Sequence, residues 1–310
     1  MGTPEFAVPV VERLLRDGYE ILAVFTQPDK PAGRGNRLTS PPVKLVAAAH
    51  GIPVYQPSRI KTNLEVRGVF ERAASDACVV AAYGKILPEW LLKIPRLGCI
   101  NVHASLLPKY RGAAPINWAI AHGEHETGIT IMQMDAGMDT GPMFARSALE
   151  IGPEETAADL STRLSALGAE LLSETLPKIE RGDIAAIAQA DSEATYAPML
   201  KREDGLIDWR LTAGEISSRV RAFQPWPGAF TAFRGQRLMI WRARETPDSS
   251  DAATGVIVSI GDSGIVVQTA GPFALMTHEL QIEGKRRMSG RDFANGTRLR
   301  PGDSLIDSET

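Results

Sequence analysis

Four short apolar runs set the terms for what this chain can fold into: 21–26 (ILAVFT), 77–83 (ACVVAAY), 99–103 (CINVH) and 128–134 (GITIMQM). Each is too short for a buried helix, and helical spacing lies between them, which is the pattern of a parallel sheet with crossover helices. Residues 9–17 place Val11, Leu14 and Leu15 on one helical face and stop at Gly18, and 63–74 and 115–122 are further helices. A longer helix is expected from Glu155 to about Leu176, where Leu160, Leu164, Leu167 and Leu171 recur at helical intervals, with Pro177 kinking or ending it and Gly182 closing it. The expected fold class is α/β, a doubly wound, mostly parallel sheet. One feature departs from that fold: the chain opens at Met1-Gly2-Thr3-Pro4, a strand-to-helix turn, so the first strand is missing from the sequence.

The pattern then changes. Residues 183–203 are weakly periodic and are read as a linker. Beyond them, runs such as 226–245 and 255–269 are short strands joined by glycine-containing turns. These suggest a small C-terminal β-barrel of the oligonucleotide-binding kind, although turn-rich β sequence leaves a sandwich open. The expected domains are therefore 1–182, a linker at 183–203, and 204–310. A length of 310 residues suits two cores.

No apolar run approaches the roughly 18 residues needed to cross a bilayer, and the N-terminus has no basic segment leading into a hydrophobic one, so a cytoplasmic protein is expected. Cys78 and Cys99 sit inside apolar runs, where thiols act as small hydrophobes, which supports neither disulfides nor a cysteine-zinc site. Residues 201–310 hold 15 Lys and Arg against 14 Asp and Glu, while residues 1–200 hold 19 against 23. Thirteen of those fifteen cations are Arg, the side chain suited to forked phosphate contacts, a weak pointer to nucleic acid.

Side chains two apart on a strand share a face, so Asn101 and His103 point the same way and Val102 the other. A core histidine bonded to a neighbouring asparagine would explain such a pair. Yet it falls at a strand's carboxyl end, where ligands bind in open α/β sheets, just before Leu106-Leu107-Pro108. Downstream, Met134-Asp135-Ala136-Gly137-Met138-Asp139-Thr140-Gly141 is expected to bring two carboxylates to the same end of the sheet. Turn chemistry accounts for Asp135 and the glycines but not for the second carboxylate. A carboxylate beside an imidazole orients the ring for proton transfer and for donation to a developing oxyanion.

These residues resemble the signature of the folate-dependent formyltransferases, Asn-x-His-x-Ser-Leu-Leu-Pro followed 38 residues after the Asn by an Asp, and 108–115 (PKYRGAAP) extends the match. The resemblance implies that Asn101 and His103 stabilise a tetrahedral oxyanion and that Asp139 holds His103 and helps to move the amine's proton. It also implies 10-formyltetrahydrofolate as co-substrate, near Ser105, Leu106, Leu107, Pro108, Tyr83, Gly84 and Ile86, with no metal. The loop 26–38 (TQPDKPAGRGNRL) is similar to the insertion with which family members acting on initiator methionyl-tRNA grip its acceptor end, which would make Lys30, Arg34 and Arg37 tRNA contacts; a mobile surface connection is the plain alternative. The matches at 2–7 (GTPEFA), 207–209 (IDW) and 221–228 (RAFQPWPG) carry the likeness across nearly the whole chain and imply a tRNA-contacting second domain, in a protein expected to be a monomer. Family members carry a short apolar strand before Gly-Thr-Pro, so the expectation is that the native product is longer.

Two other readings share part of this pattern: a formyltransferase acting on a nucleotide-linked amino sugar, which has no need of the 30–37 loop, and a tRNA-binding protein without activity, for which Asn101, His103 and Asp139 have no purpose. The cluster 122–126 (HGEHE) is read as a solvated cap rather than a metal site, Asp29 and Asp135 as turn formers, and Trp226 and Trp241 as core of the β-domain. Lys285, Arg286 and Arg287 suit an RNA backbone and a solvated loop equally.

Overall fold

The computed structural model describes residues 1–32 and 37–306. In chain order the elements are α1 (Val8–Arg16), β1 (Val24–Phe25), β2 (Lys30–Ala32), β3 (Arg37–Thr39), α2 (Pro42–Ala49), β4 (Val54–Tyr55), α3 (Leu64–Ala73), β5 (Cys78–Val80), α4 (Glu89–Lys93) and β6 (Cys99–His103). These are followed by β7 (Arg111–Gly112), α5 (Pro115–Ala121), β8 (Glu126–Gln133), β9 (Met143–Glu150), α6 (Ala157–Arg181) and β10 (Tyr196–Ala197). The remainder holds α7 (Ala213–Ala222), β11 (Ala229–Phe233), β12 (Gln236–Thr246), β13 (Ile257–Gly261), β14 (Gly264–Gln268), β15 (Ala274–Ile282), β16 (Met288–Ser289) and α8 (Gly290–Thr297).

The chain divides into two compact units, Met1–Pro115 with Glu126–Glu150 and Ser161–Pro198, and Ile116–His125 with Ile151–Leu160 and Met199–Thr310. Residues 183–198, read from sequence as linker, therefore contribute to the first unit.

In the first unit β5 and β6 are parallel, as are β1 and β4. β8 and β9 are antiparallel to their neighbours, so the sheet is mixed. The apolar run of β8 is buried along nearly its whole length, and a strand buried on both faces reads alike in either direction. The edge strand β9 went unread because its small and polar residues alternate with no continuous apolar run.

Only Val24–Phe25 of the 21–26 run, and Cys78–Val80 of the 77–83 run, enter ladders. The reason lies between them. Gly2 bridges Ala81 in parallel and its N–H donates to Phe25 O at 3.0 Å, while Ala81 N donates to Met1 O at 2.9 Å. Met1 and Gly2 thus occupy a strand position between β1 and β5. Along the rest of that position lies a cavity of about 470 Å³, whose walls include Val10, Leu14, Ala23, Phe70, Ala77 and Leu176.

Helix α6 runs through Pro177 to Arg181, with Gly182 in the left-handed region after it. Its buried face uses Leu160, Leu164, Leu172, Leu176 and Ile179, and Leu167 and Leu171 flank that face at half burial. A Cβ on Gly168 would meet Val102 Cγ1 at 2.7 Å, so glycine there lets the helix approach the back of β6.

The second unit is an antiparallel sheet in the order β11-β12-β15-β14-β13, with β16 beside β15. Its core gathers Trp209, Val220, Phe233, Leu238, Leu275 and Phe293. Trp241 is not in that core, and Trp226 is more than half exposed. Among the described residues, no helix is long and apolar enough to cross a membrane.

Candidate active site

Strand β6 is buried at all five positions, and its pleat presents Asn101 and His103 on the face opposite Val102. His103 Nε2 lies 3.1 Å from Tyr110 O. A carbonyl can only accept, so Nε2 carries the hydrogen and Nδ1 is the nitrogen left for chemistry. The Tyr110 carbonyl is aimed by a left-handed backbone at that residue, φ +62°. Nδ1 faces Asp139 Oδ2 at 3.7 Å, too long for a hydrogen bond but near enough for the carboxylate to act on the ring through space.

His103 and Asp139 therefore meet, with Asn101 on the same face of β6 as His103, by a route the sequence did not indicate. β8 pairs antiparallel with β6, Gln133 opposite Ile100 and Thr130 opposite His103. The loop after it consequently leaves at the far end of β6, about 10 Å of strand from His103. Asp139 reaches the imidazole because the loop doubles back, with Asp139 at φ +53°, a conformation that Asp tolerates better than most residues. Asp135 closes the turn, its Oδ1 accepting from Gly137 N at 3.0 Å and Thr140 Oγ1 at 2.7 Å.

Asp139 is held at its carboxylate and at its backbone carbonyl. Its Oδ2 accepts from Gly112 N at 2.9 Å, and Gln189 Nε2 donates to Asp139 O at 2.8 Å and Gly141 O at 2.7 Å. Gln189 Oε1 in turn accepts from Arg111 Nε and Nη2 at 3.0 and 2.8 Å, and Arg111 Nη2 also donates to Asp191 Oδ1 at 2.8 Å. The buried Arg111 is thus paired rather than stranded. β10 pairs parallel with β7, locking this stretch beside the Tyr110 turn. Gln189 and Asp191 went unnoticed in the sequence, and Tyr110 and Arg111 entered there only within the 108–115 match and without a role, because these residues act through backbone carbonyls and on one another, with no periodic signature. Oδ1 of Asp139 takes no hydrogen bond from the described residues.

Of the residues expected near a folate, Ser105 and Leu107 are fully buried. Ser105 Oγ donates to Lys109 O at 2.6 Å, and Leu107 N donates to Thr130 Oγ1 at 3.1 Å. Pro108 is buried as well, and Leu106 is half-buried. Their side chains shape the turn after His103. Because Val80 pairs with Asn101, the segment after β5 runs beside the same strand end. There Gln27 Nε2 donates to Tyr83 O and Gly84 O, Ile86 is 90% exposed, and the buried Tyr83 hydroxyl has no partner among the described residues, its pKa pushed up to about 12 by burial.

Lys30 donates to Gln27 Oε1 at 2.9 Å, which ties the β2 segment to this loop. Asp29 does more than shape a turn: it accepts from Lys44, Gln56 and Ser40, and the Lys44 hydrogen bond is the first cause holding its carboxyl below the usual range. Arg37 is described through its backbone in β3, and Arg34 lies outside the described residues.

Residues 1–176 match the formyl transferase family and 199–298 its C-terminal domain. Methionyl-tRNA formyltransferases from Geobacter metallireducens and Koribacter versatilis are each 50% identical to this chain, over 97% and 98% of it and 96% of theirs. A solved N-formyltransferase from Helicobacter canadensis, in complex with folinic acid and dTDP-3-aminofucose, shares the fold at 18% identity and a TM-score of 0.64, covering 89% of this chain and 96% of that one. With both parts of the family matched and half of all residues shared along almost its full length, this chain belongs to the methionyl-tRNA formyltransferases of the formyl transferase family.

Proposed function

We propose that the chain transfers the formyl group of 10-formyltetrahydrofolate to the amino group of methionine on initiator methionyl-tRNA, with Asn101, His103 and Asp139 as catalytic residues. The observation that carries this is the imidazole fixed at Nε2 by Tyr110 O with its free Nδ1 turned to Asp139. The folate, when bound, supplies an electrophilic formyl carbonyl. The Asn101 amide then donates to the formyl oxygen as it gains charge, and His103 Nδ1 does so in the form of the ring that carries a hydrogen on both nitrogens. Asp139 Oδ1, which accepts no hydrogen bond from the described residues, takes the proton lost by the attacking amine; the bond from the formyl carbon to the folate nitrogen then breaks and that proton passes to the departing nitrogen, while Gly112 N keeps the other carboxylate oxygen in place. The low exposure of Asn101 and His103 excludes water that would otherwise compete with the amine.

The residues present suit a folate. Ile86 and Met138 leave apolar side chains in solvent on the loops after β5 and β8, and the buried Tyr83 hydroxyl lacks a partner among the described residues. We assign Tyr83, Gly84 and Ile86 to one wall of its site and the Ser105–Pro108 turn to the other. Residues 1–182 form the catalytic part in this reading and 204–310 the tRNA-contacting part, in a monomer working in the cytoplasm; Lys30, Arg34 and Arg37 meet the tRNA. A sugar-nucleotide acceptor is the alternative, and the Helicobacter canadensis likeness does not favour it, since it extends to the fold alone.

Replacing His103 with Ala should lower transfer of labelled formyl to charged initiator tRNA by about 10²-fold or more while leaving tRNA affinity nearly unchanged. A fully active variant would refute the assignment. Gln189→Ala releases two carbonyls of the Asp139 loop, so kcat should fall roughly tenfold with folate KM little altered and stability lower by about 1–2 kcal/mol. Unchanged kcat in a destabilised protein would reduce Gln189 to a structural role. Arg34→Ala should raise the KM for tRNA more than that for folate and flatten the salt dependence of tRNA binding; steady-state kinetics and filter binding over a salt series read both, and equal KM effects would count against the loop contact.

A further inference from the structure

Within the second unit, strand β12 carries a bulge that changes which side chains face outward. Its register against β15 shifts on both sides of Arg242, so that Leu238, Ile240 and then Ala243 point to the core. The extra residue leaves Trp241 and Arg242 adjacent and both away from that core, with Arg244 next along. They form one wall of a cleft of about 230 Å³, and Arg221 and Gln224 on and just beyond α7 form another. Gln224 Nε2 donates to Val220 O at 2.9 Å and Trp241 O at 2.8 Å, holding the two walls together. Arg221 and Gln224 belong to the 221–228 segment, whose arginine and glutamine the catalytic reading does not use.

Charge is unbalanced in this cleft. Arg221 donates only to neutral acceptors, Gly152 O, Glu155 O and Ser218 Oγ, and its Nε is buried without a partner. Arg244 is exposed and has no ion-pair partner among the described residues. Arg242 is paired with Glu154 at 2.9 Å, and Arg287 lies 3.6 Å from Glu279 while stacking on the Trp241 ring at 3.9 Å. Four guanidiniums thus face three carboxylates, Glu154, Glu155 and Glu279, with the charges of Glu154 and Glu155 acting on Arg221, and His278 also lines the cleft. A guanidinium with an unpartnered Nε at the base, one without an ion pair at the rim and a stacked one over an aromatic ring are the donors that a phosphate with its attached nucleoside would use.

We propose that this cleft is a backbone subsite for RNA, in which Arg221, Arg244 and Arg287 hold one phosphodiester and the Arg287–Trp241 stack faces the neighbouring nucleoside. The subsite rests on the reading of methionyl-tRNA as acceptor, and specifies where the second unit meets that RNA.

The test uses the full chain and charged initiator tRNA. The Arg244→Ala/Arg287→Ala variant should bind the tRNA roughly tenfold more weakly, and the slope of log Kd against log salt should fall by about one to two. Its KM for tRNA should rise while kcat and the KM for folate hold. Unchanged affinity and slope would overturn the subsite. Should that variant fold poorly, Glu154→Gln frees Arg242 without removing any cation and should tighten tRNA binding by about threefold; equal or weaker binding would overturn the proposal as well. If wild-type protein transfers no formyl to methionyl-tRNA, the functional reading itself falls; if it does so and both variants match it, only the subsite falls.

Discussion

The hydrogen bond between His103 Nε2 and the Tyr110 carbonyl is the constraint on which the candidate site depends. It fixes the tautomer, and so decides that the nitrogen facing Asp139 is the one able to exchange a proton. For that bond to exist, the turn after β6 must return to the strand within seven residues. Ser105 Oγ on Lys109 O and Leu107 N on Thr130 Oγ1 hold it in that return. The residues between His103 and Tyr110 are consequently structural before they can be anything else. A ligand meeting this turn meets a surface already set by internal bonds, which costs little reorganisation at the moment of reaction.

That arrangement requires β6 to be firm from behind. Gly168 lets α6 close onto Val102 on the strand's other face, so a polar pair can stand on a buried strand without loosening it. Asn101 and His103 could be read from the sequence because a period of two is unambiguous on a strand. Asp139 could not be placed by the same logic. Spacing tied it to the pair, but the directional argument failed, since a strand buried on both faces does not announce whether it runs parallel or antiparallel. What brings Asp139 home is its own left-handed backbone and hydrogen bonds from Gly112 and Gln189, both distant in sequence, and none of these leaves a periodic trace.

The 183–198 stretch shows the same limit. Its weak periodicity is that of a linker, yet Gln189 and Asp191 belong to the chain of bonds that runs through Arg111 to the Asp139 loop. An extended segment packed on a site needs neither helical nor strand periodicity, because its partners are backbone groups and single side chains. The short ladders of the 21–26 and 77–83 runs have a complementary cause. Their residues have strand character, but only Met1 and Gly2 stand between them, and a strand without a partner is not registered as one.

The chemistry of the site supplies little affinity for a polyanion, since its three groups are short and two of them are buried, and residues 1–200 carry more acidic than basic side chains. Grip on an RNA must come from cations set elsewhere, and their value depends on being aimed rather than on being numerous. In the second unit the bulge at Arg242 provides the aim: one inserted residue turns an alternating strand into an outward run of Trp241 and Arg242, followed by Arg244. In the first unit the left-handed Asp139 does the corresponding work. Both are local irregularities in otherwise regular antiparallel structure, each tolerated because surrounding hydrogen bonds determine it. In each case the irregular residue directs a charged group to a place that regular geometry would not reach.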